Sequence, residues 1–194
     1  MSTAGPNICG TGADSGARAN VWDNPQFITA NDGQFATCPM ASGESSNELQ
    51  ASNFNFSISS NATILGIQVD ISKKSTGGNC VDNGIFLFSS PGADIGNDKS
   101  LGTNWPATVT LVSYGSGSDL WGLSSAALLL LINTSDFGVG IAVAQVSSSP
   151  TAAVDYVQMT ITYSVPGSSG QPRIHIQNSR SGYGPHKNWK GPVG

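Results

Sequence analysis

The chain has 194 residues, only 10% of them charged, and its eight Lys and Arg against twelve Asp and Glu give a net charge of −4. With 24 Gly, 10 Pro and an apolar share of 38%, it suits short strands joined by many turns, which excludes a mainly helical protein and wholesale disorder. The charge is split: residues 1–164 hold all twelve acids and four cations (Arg18, Lys73, Lys74, Lys99), a net −8, whereas residues 165–194 hold Arg173, Arg180, Lys187 and Lys190 and no acid, a net +4.

Taken in chain order, residues 1–19 read as a Gly/Ala/Ser-rich N-terminal arm without periodicity. They have neither the basic start nor the apolar run of a secretory signal, so the expectation is synthesis in the cytosol. The body, residues 20–164, then shows period-2 segments separated by turn clusters. Phe54, Phe56 and Ile58 alternate with Asn55 and Ser57, and Leu65, Ile67, Val69 and Ile71 alternate with Gly66, Gln68 and Asp70. Residues 85–88 are apolar on both faces and predict a central strand. Val109 and Leu111 mark another that ends at Tyr114 and Gly115. Residues 124–132 are the one plausible helix, and their apolar run is too short to cross a membrane.

Phe137, Val139, Ile141 and Val143 form a core face, backed by Gly138, Gly140, Ala142 and Ala144. A row of small residues lets something approach the sheet closely, whether a packed loop, an arm or a neighbouring subunit. The last strand covers about residues 153–164, with Val157, Met159, Ile161 and Tyr163 inward. About seven or eight strands without βα alternation predict an all-β fold, an antiparallel β-sandwich of jelly-roll type.

Six segments taken together carry a resemblance: VWDNPQFITANDGQFAT (21–37), NFNFSISSNATILGIQVDI (53–71), NWP (104–106), VSYGSGSDLWG (112–122), FGVGIAV (137–143) and VDYVQMTITYS (154–164). This order resembles the galactose-binding-like jelly-roll domains of phage and prophage structural proteins and bacterial surface proteins. The resemblance spans about residues 20–164. It implies a non-enzymatic module for assembly or adhesion, and it carries no catalytic motif across.

The candidate sites follow from residue types. The two histidines, His175 and His186, both lie in the basic tail, and no GxSxG, P-loop or HExxH occurs, so no nucleophile has a fixed base and no enzyme is expected. Cys9, Cys38 and Cys80 lack metal-ligand spacing and read as idle thiols, with one disulfide as the alternative. No cofactor is expected. Domains of the resembled type often carry structural calcium between an early loop and the last strand. Asp32 and Asp155 would be its candidate ligands, against the plainer reading of a turn former and a hydrogen-bonded carboxylate. Tyr114, Asp119 and Trp121, close together in a Gly/Ser-rich loop, are candidates for a glycan platform. The competing reading has Trp121 and Trp105 plugging the fold.

The tail, residues 165–194, carries the main expectation. A Pro/Gly linker is followed by RIHIQN (173–178), in which Ile174 and Ile176 alternate with His175 and Gln177 as a short strand able to extend another sheet's edge. Tyr183 and Trp189 then stand among Arg180, Lys187 and Lys190 as aromatic anchors with charge attraction. Extended, the tail could reach on the order of 100 Å. Four cations are sparse for a nucleic-acid arm, and the acidic body would repel phosphate. The sequence thus predicts a homo-oligomeric bacteriophage virion protein, a capsid decoration or cement protein or a tail or fibre subunit. Its partners would be its own copies and other virion proteins, with no nucleic acid and no membrane. Carbohydrate binding or adhesion is the alternative.

Overall fold

The computed structural model describes residues 1–16, 20–41 and 43–166. Their elements are β1 (Ser2–Ile8), β2 (Thr11–Asp14), a 3-10 turn (Pro25–Ile28), β3 (Ala36–Pro39), β4 (Leu49–Ser52), β5 (Thr63–Phe88), β6 (Asp94–Ile95), β7 (Thr110–Gly115), α1 (Ser125–Leu131) and β8 (Gly138–Ser164). The protein is mostly strand, and every strand pair is antiparallel. Among the described residues no helix is long and apolar enough to cross a membrane.

Two very long strands organise the sheet. β5 and β8 pair from Thr63–Ser164 at one end to Phe88–Gly138 at the other. The segments expected as separate strands at 65–71 and 85–88, and at 137–143 and 153–164, are therefore the two ends of β5 and of β8. Between them the ladder shifts register at Thr76/Gly78 and Asn79/Cys80; such bulges bend a strand and raise its twist. The halves on either side have different neighbours. β7 flanks the first half of β5, and β1 and β3 flank the second half of β8. On the other side of the bend the order is β2-β4-β8-β5-β6. The sheet curls so that Ile67, Val69, Ile71, Val157, Met159 and Ile161 from one half join Leu49, Ile85, Leu87, Val139, Ile141 and Val143 from the other in a single buried cluster.

Several details depart from the expectations. The N-terminal segment is no free arm: Ser2 to Ile8 pair with β8 at 158–163, and Thr11 to Asp14 pair with β4. Sheet pairing satisfies its backbone polar groups, so a Gly/Ala/Ser sequence needs no period of its own to be held. The segment around Phe54, Phe56 and Ile58 buries those three side chains but joins no ladder, because Asn53 (φ 59°) and Asn55 (φ 55°) adopt left-handed backbone. A bulge between Ile64 and Gly66 puts Ile64 rather than Leu65 in the core. Val109 and Leu111 are exposed, and Tyr114 is the buried residue of β7. The helix forms as expected, its first turn capped by Ser124 Oγ, which accepts a hydrogen bond from Ala127 N.

Candidate functional site

Arg173, Ile174, Ile176, Arg180, Tyr183, Lys187, Trp189 and Lys190, the expected partner-binding residues, lie outside the described residues, as do both histidines. The proposed glycan platform is corrected by burial. Tyr114 is 2% exposed and Trp121 is fully buried, so neither ring has a face to offer a sugar. Trp121 Nε1 donates to Ile67 O at 3.0 Å, and its backbone N donates to Asp119 Oδ1 at 2.8 Å. Asp119 also takes Lys99 Nζ at 2.7 Å. Partial burial pushes its carboxyl up, but the Lys99 ammonium and the Trp121 N–H outweigh this and hold it below the ordinary carboxylate value. Trp105, 4% exposed, is buried too.

The calcium candidates take the plainer roles. Asp155 is buried, and its Oδ1 accepts from Gly33 N at 3.0 Å. Asp32 closes its own turn, accepting from Gln34 N at 3.0 Å and Gln34 Nε2 at 2.9 Å, and these bonds lower its pKa. Among the described residues no group of three His, Cys, Asp or Glu is placed to hold a metal ion. Cys9, Cys38 and Cys80 are free and buried. Desolvation pushes the Cys9 and Cys38 thiols up to about 12 and raises that of Cys80, so all three stay protonated and unreactive at neutral pH.

Sequence reasoning missed a buried polar cluster. Lys73 Nζ contacts Asp82 Oδ1 at 2.8 Å and donates to the Tyr114 hydroxyl, which in turn donates to Asp82 Oδ2 at 2.9 Å. Asp82 also accepts from Trp105 Nε1 at 2.7 Å and Leu101 N at 2.8 Å. The Lys73 ammonium stands 4.3 Å from the Trp105 ring centroid, a favourable cation–π distance. Desolvation pulls the Lys73 pKa down against the pull of Asp82, and desolvation next to Asp82 drives the Tyr114 hydroxyl well up. Each carboxylate oxygen is thus matched by two donors. Only the position of Lys73 and Asp82 on polar-looking stretches of one strand hinted at this, and the alternation masked it.

A second polar region faces outward. The outer face of β2-β4-β8-β5-β6 forms a trough of about 620 Å³. The register lays Ala13, Gln50, Gly140 and Phe86 side by side across four strands, with Gly84 opposite Ala142 in the next row. The small residues noted in the sequence are its floor, and the Glu48 carboxylate lies on it where a Cβ at Gly140 would be. Asp14, Glu48 and Asp94 line the trough, and no cation does among the described residues. Asp14 is fully engaged with Gly16 N, Trp22 N and Asn47 Nδ2. Gln50 is different: it is 5% exposed, and its Nε2 has no hydrogen-bond partner among the described residues.

No protein-family model, no curated protein and no solved structure matches this chain significantly.

Proposed function

We propose that this chain is a structural subunit of a bacterial-virus particle, a capsid decoration or cement protein or a tail or fibre subunit. Its curled sheet is a jelly-roll-like sandwich, and its basic tail joins neighbouring copies. The observation that carries this reading is the division of charge. Every described lysine of the body is engaged internally: Lys73 with Asp82, Lys99 with Asp119, and Lys74 over the Phe35 ring at 3.9 Å. The body therefore turns an acidic surface outward, while the tail has four cations and no acid. Complementary fields of this kind steer association and fix its partners.

With residues 2–14 built into the sheet, assembly rests on the C-terminal tail alone. Its segment 173–178, which alternates in sequence like a strand, would extend a sheet edge of a neighbour, and β7 is such an edge, paired among the described residues only with β5 and carrying exposed Leu111. Among the described residues the core is closed by residues between Ala4 and Val165, so deleting residues 168–194 is expected to leave a soluble body with a cooperative melt and monomeric mass by light scattering. Particle incorporation unchanged by this truncation would sink the proposal.

A further inference from the structure

We infer that the trough on the outer face of β2-β4-β8-β5-β6 is the docking site for the aromatic-cationic stretch, residues 180–190, of a second copy. This rests on the assembly reading above and names where on the body the tail lands. Among the described residues the trough is lined by Asp14, Glu48 and Asp94 and by no cation, so it disfavours phosphates and other anions. The only segment of this chain with the opposite character is the tail, in which Arg180, Lys187 and Lys190 flank Tyr183 and Trp189 without an acid.

Its shape fits the same occupant. A volume of about 620 Å³ lies in the range of small-ligand sites, roughly 300–1,000 Å³. It holds a few residues of an extended chain, not the whole tail. The floor of Gly140, Ala142 and Gly84 admits a backbone at close range, and the tail is itself rich in glycine. Phe86 and Pro91 offer apolar surface to a tyrosine or tryptophan, and the exposed Asp94 offers an acceptor to a cation. The buried Gln50 Nε2, without a partner among the described residues, is a donor that a backbone carbonyl laid along the trough would satisfy; leaving such a group unmatched is otherwise costly. The tail, about 90 Å long when extended, can reach the trough of an adjacent copy.

The test uses the full chain with p-benzoylphenylalanine in place of Tyr183, irradiated as a mixture of isotopically light and heavy copies. Light–heavy adducts mapping to residues 48–50 and 83–94 are expected. Adducts elsewhere, or only within one chain, overturn the inference. In parallel, Asn83→Lys with Asp94→Lys, both at exposed positions, should weaken self-association roughly tenfold at low salt. Arg180→Glu with Lys187→Glu should do the same, and mixing the two charge-reversed proteins should restore part of it. If the trough lysines change nothing while deletion of 168–194 abolishes association, the tail docks elsewhere: the trough assignment falls and the assembly reading stands. If the deletion also changes nothing, both fall. A neutral oligosaccharide bound by the full chain and lost in Phe86→Ala, with no adduct at the trough, would make this a sugar site and likewise overturn it.

Discussion

The sealed cluster around Lys73 and the open trough around Gln50 are made of similar groups yet differ in how those groups are matched. In the cluster Asp82 accepts from Lys73, Tyr114, Trp105 and Leu101, two donors to each carboxylate oxygen. In the trough, among the described residues, a buried amide is left without a partner and no cation stands among the carboxylates. A complete network rigidifies the fold it sits in; an incomplete one costs stability and is kept where something else completes it. Polarity inside a protein is therefore a poor guide to function until the partners are counted.

The comparison can be broken most sharply at Asp82. Asp82→Ala leaves the Lys73 ammonium buried and unpaired, and should cost about 3–5 kcal/mol in urea unfolding. Adding Lys73→Met should recover most of that loss, since a well-packed apolar pair is a fair substitute for a buried ion pair. A small effect of Asp82→Ala would mean that water reaches the cluster. On the trough side the sign reverses. Gln50→Met removes an unmatched donor at a closely similar volume and should raise stability by about 1 kcal/mol, seen as a higher unfolding midpoint, while weakening self-association. Loss of stability there would show that Gln50 already has a partner.

The smallest effect is on acidification. Asp32, Asp98 and Asp119 are all held below the ordinary carboxylate value of 3.8, Asp98 because Ile85 N–H and Ser100 outweigh its partial burial. A lowered folded-state pKa contributes stability above the unfolded value and loses it as pH falls through the folded one. Stability should thus hold from neutral pH down to roughly pH 5 and decline modestly below about 4, more gently at high salt. A decline already complete at pH 5 would point to some other titrating group.

Much of the fold was legible where one face of a strand is buried on its own terms. Phe137, Val139, Ile141 and Val143 alternate cleanly and are all buried, and the helix at residues 125–131 has its serine cap in sequence. What stayed hidden depends on long-range pairing. No local pattern says that Ser2 to Ile8 lie against 158–163, or that four expected strands are the ends of two. A single bulge at Ile64/Gly66 shifts which residue enters the core, and two asparagines with positive φ keep Phe54 to Ile58 out of the ladder.

The site followed the same rule. The small residues 138–144 announced a close approach, yet the trough's other bank comes from β4, some ninety residues earlier, and only the Gln50–Gly140 register joins them. The glycan candidates misled because Tyr114 and Trp121 share loop-like sequence with true binding aromatics while their polar ends are already satisfied inside.

The long pairing of β8 has a mechanical consequence. Under the proposed assembly, a pull through the tail enters the body at the end of β8, which is bonded to β5 throughout and to β1 beside its last residues. Such a pull, resisted at the Phe88 end of β5, shears many ladder bonds together rather than peeling them singly. The proposed handle is thus joined to the longest ladder among the described strands.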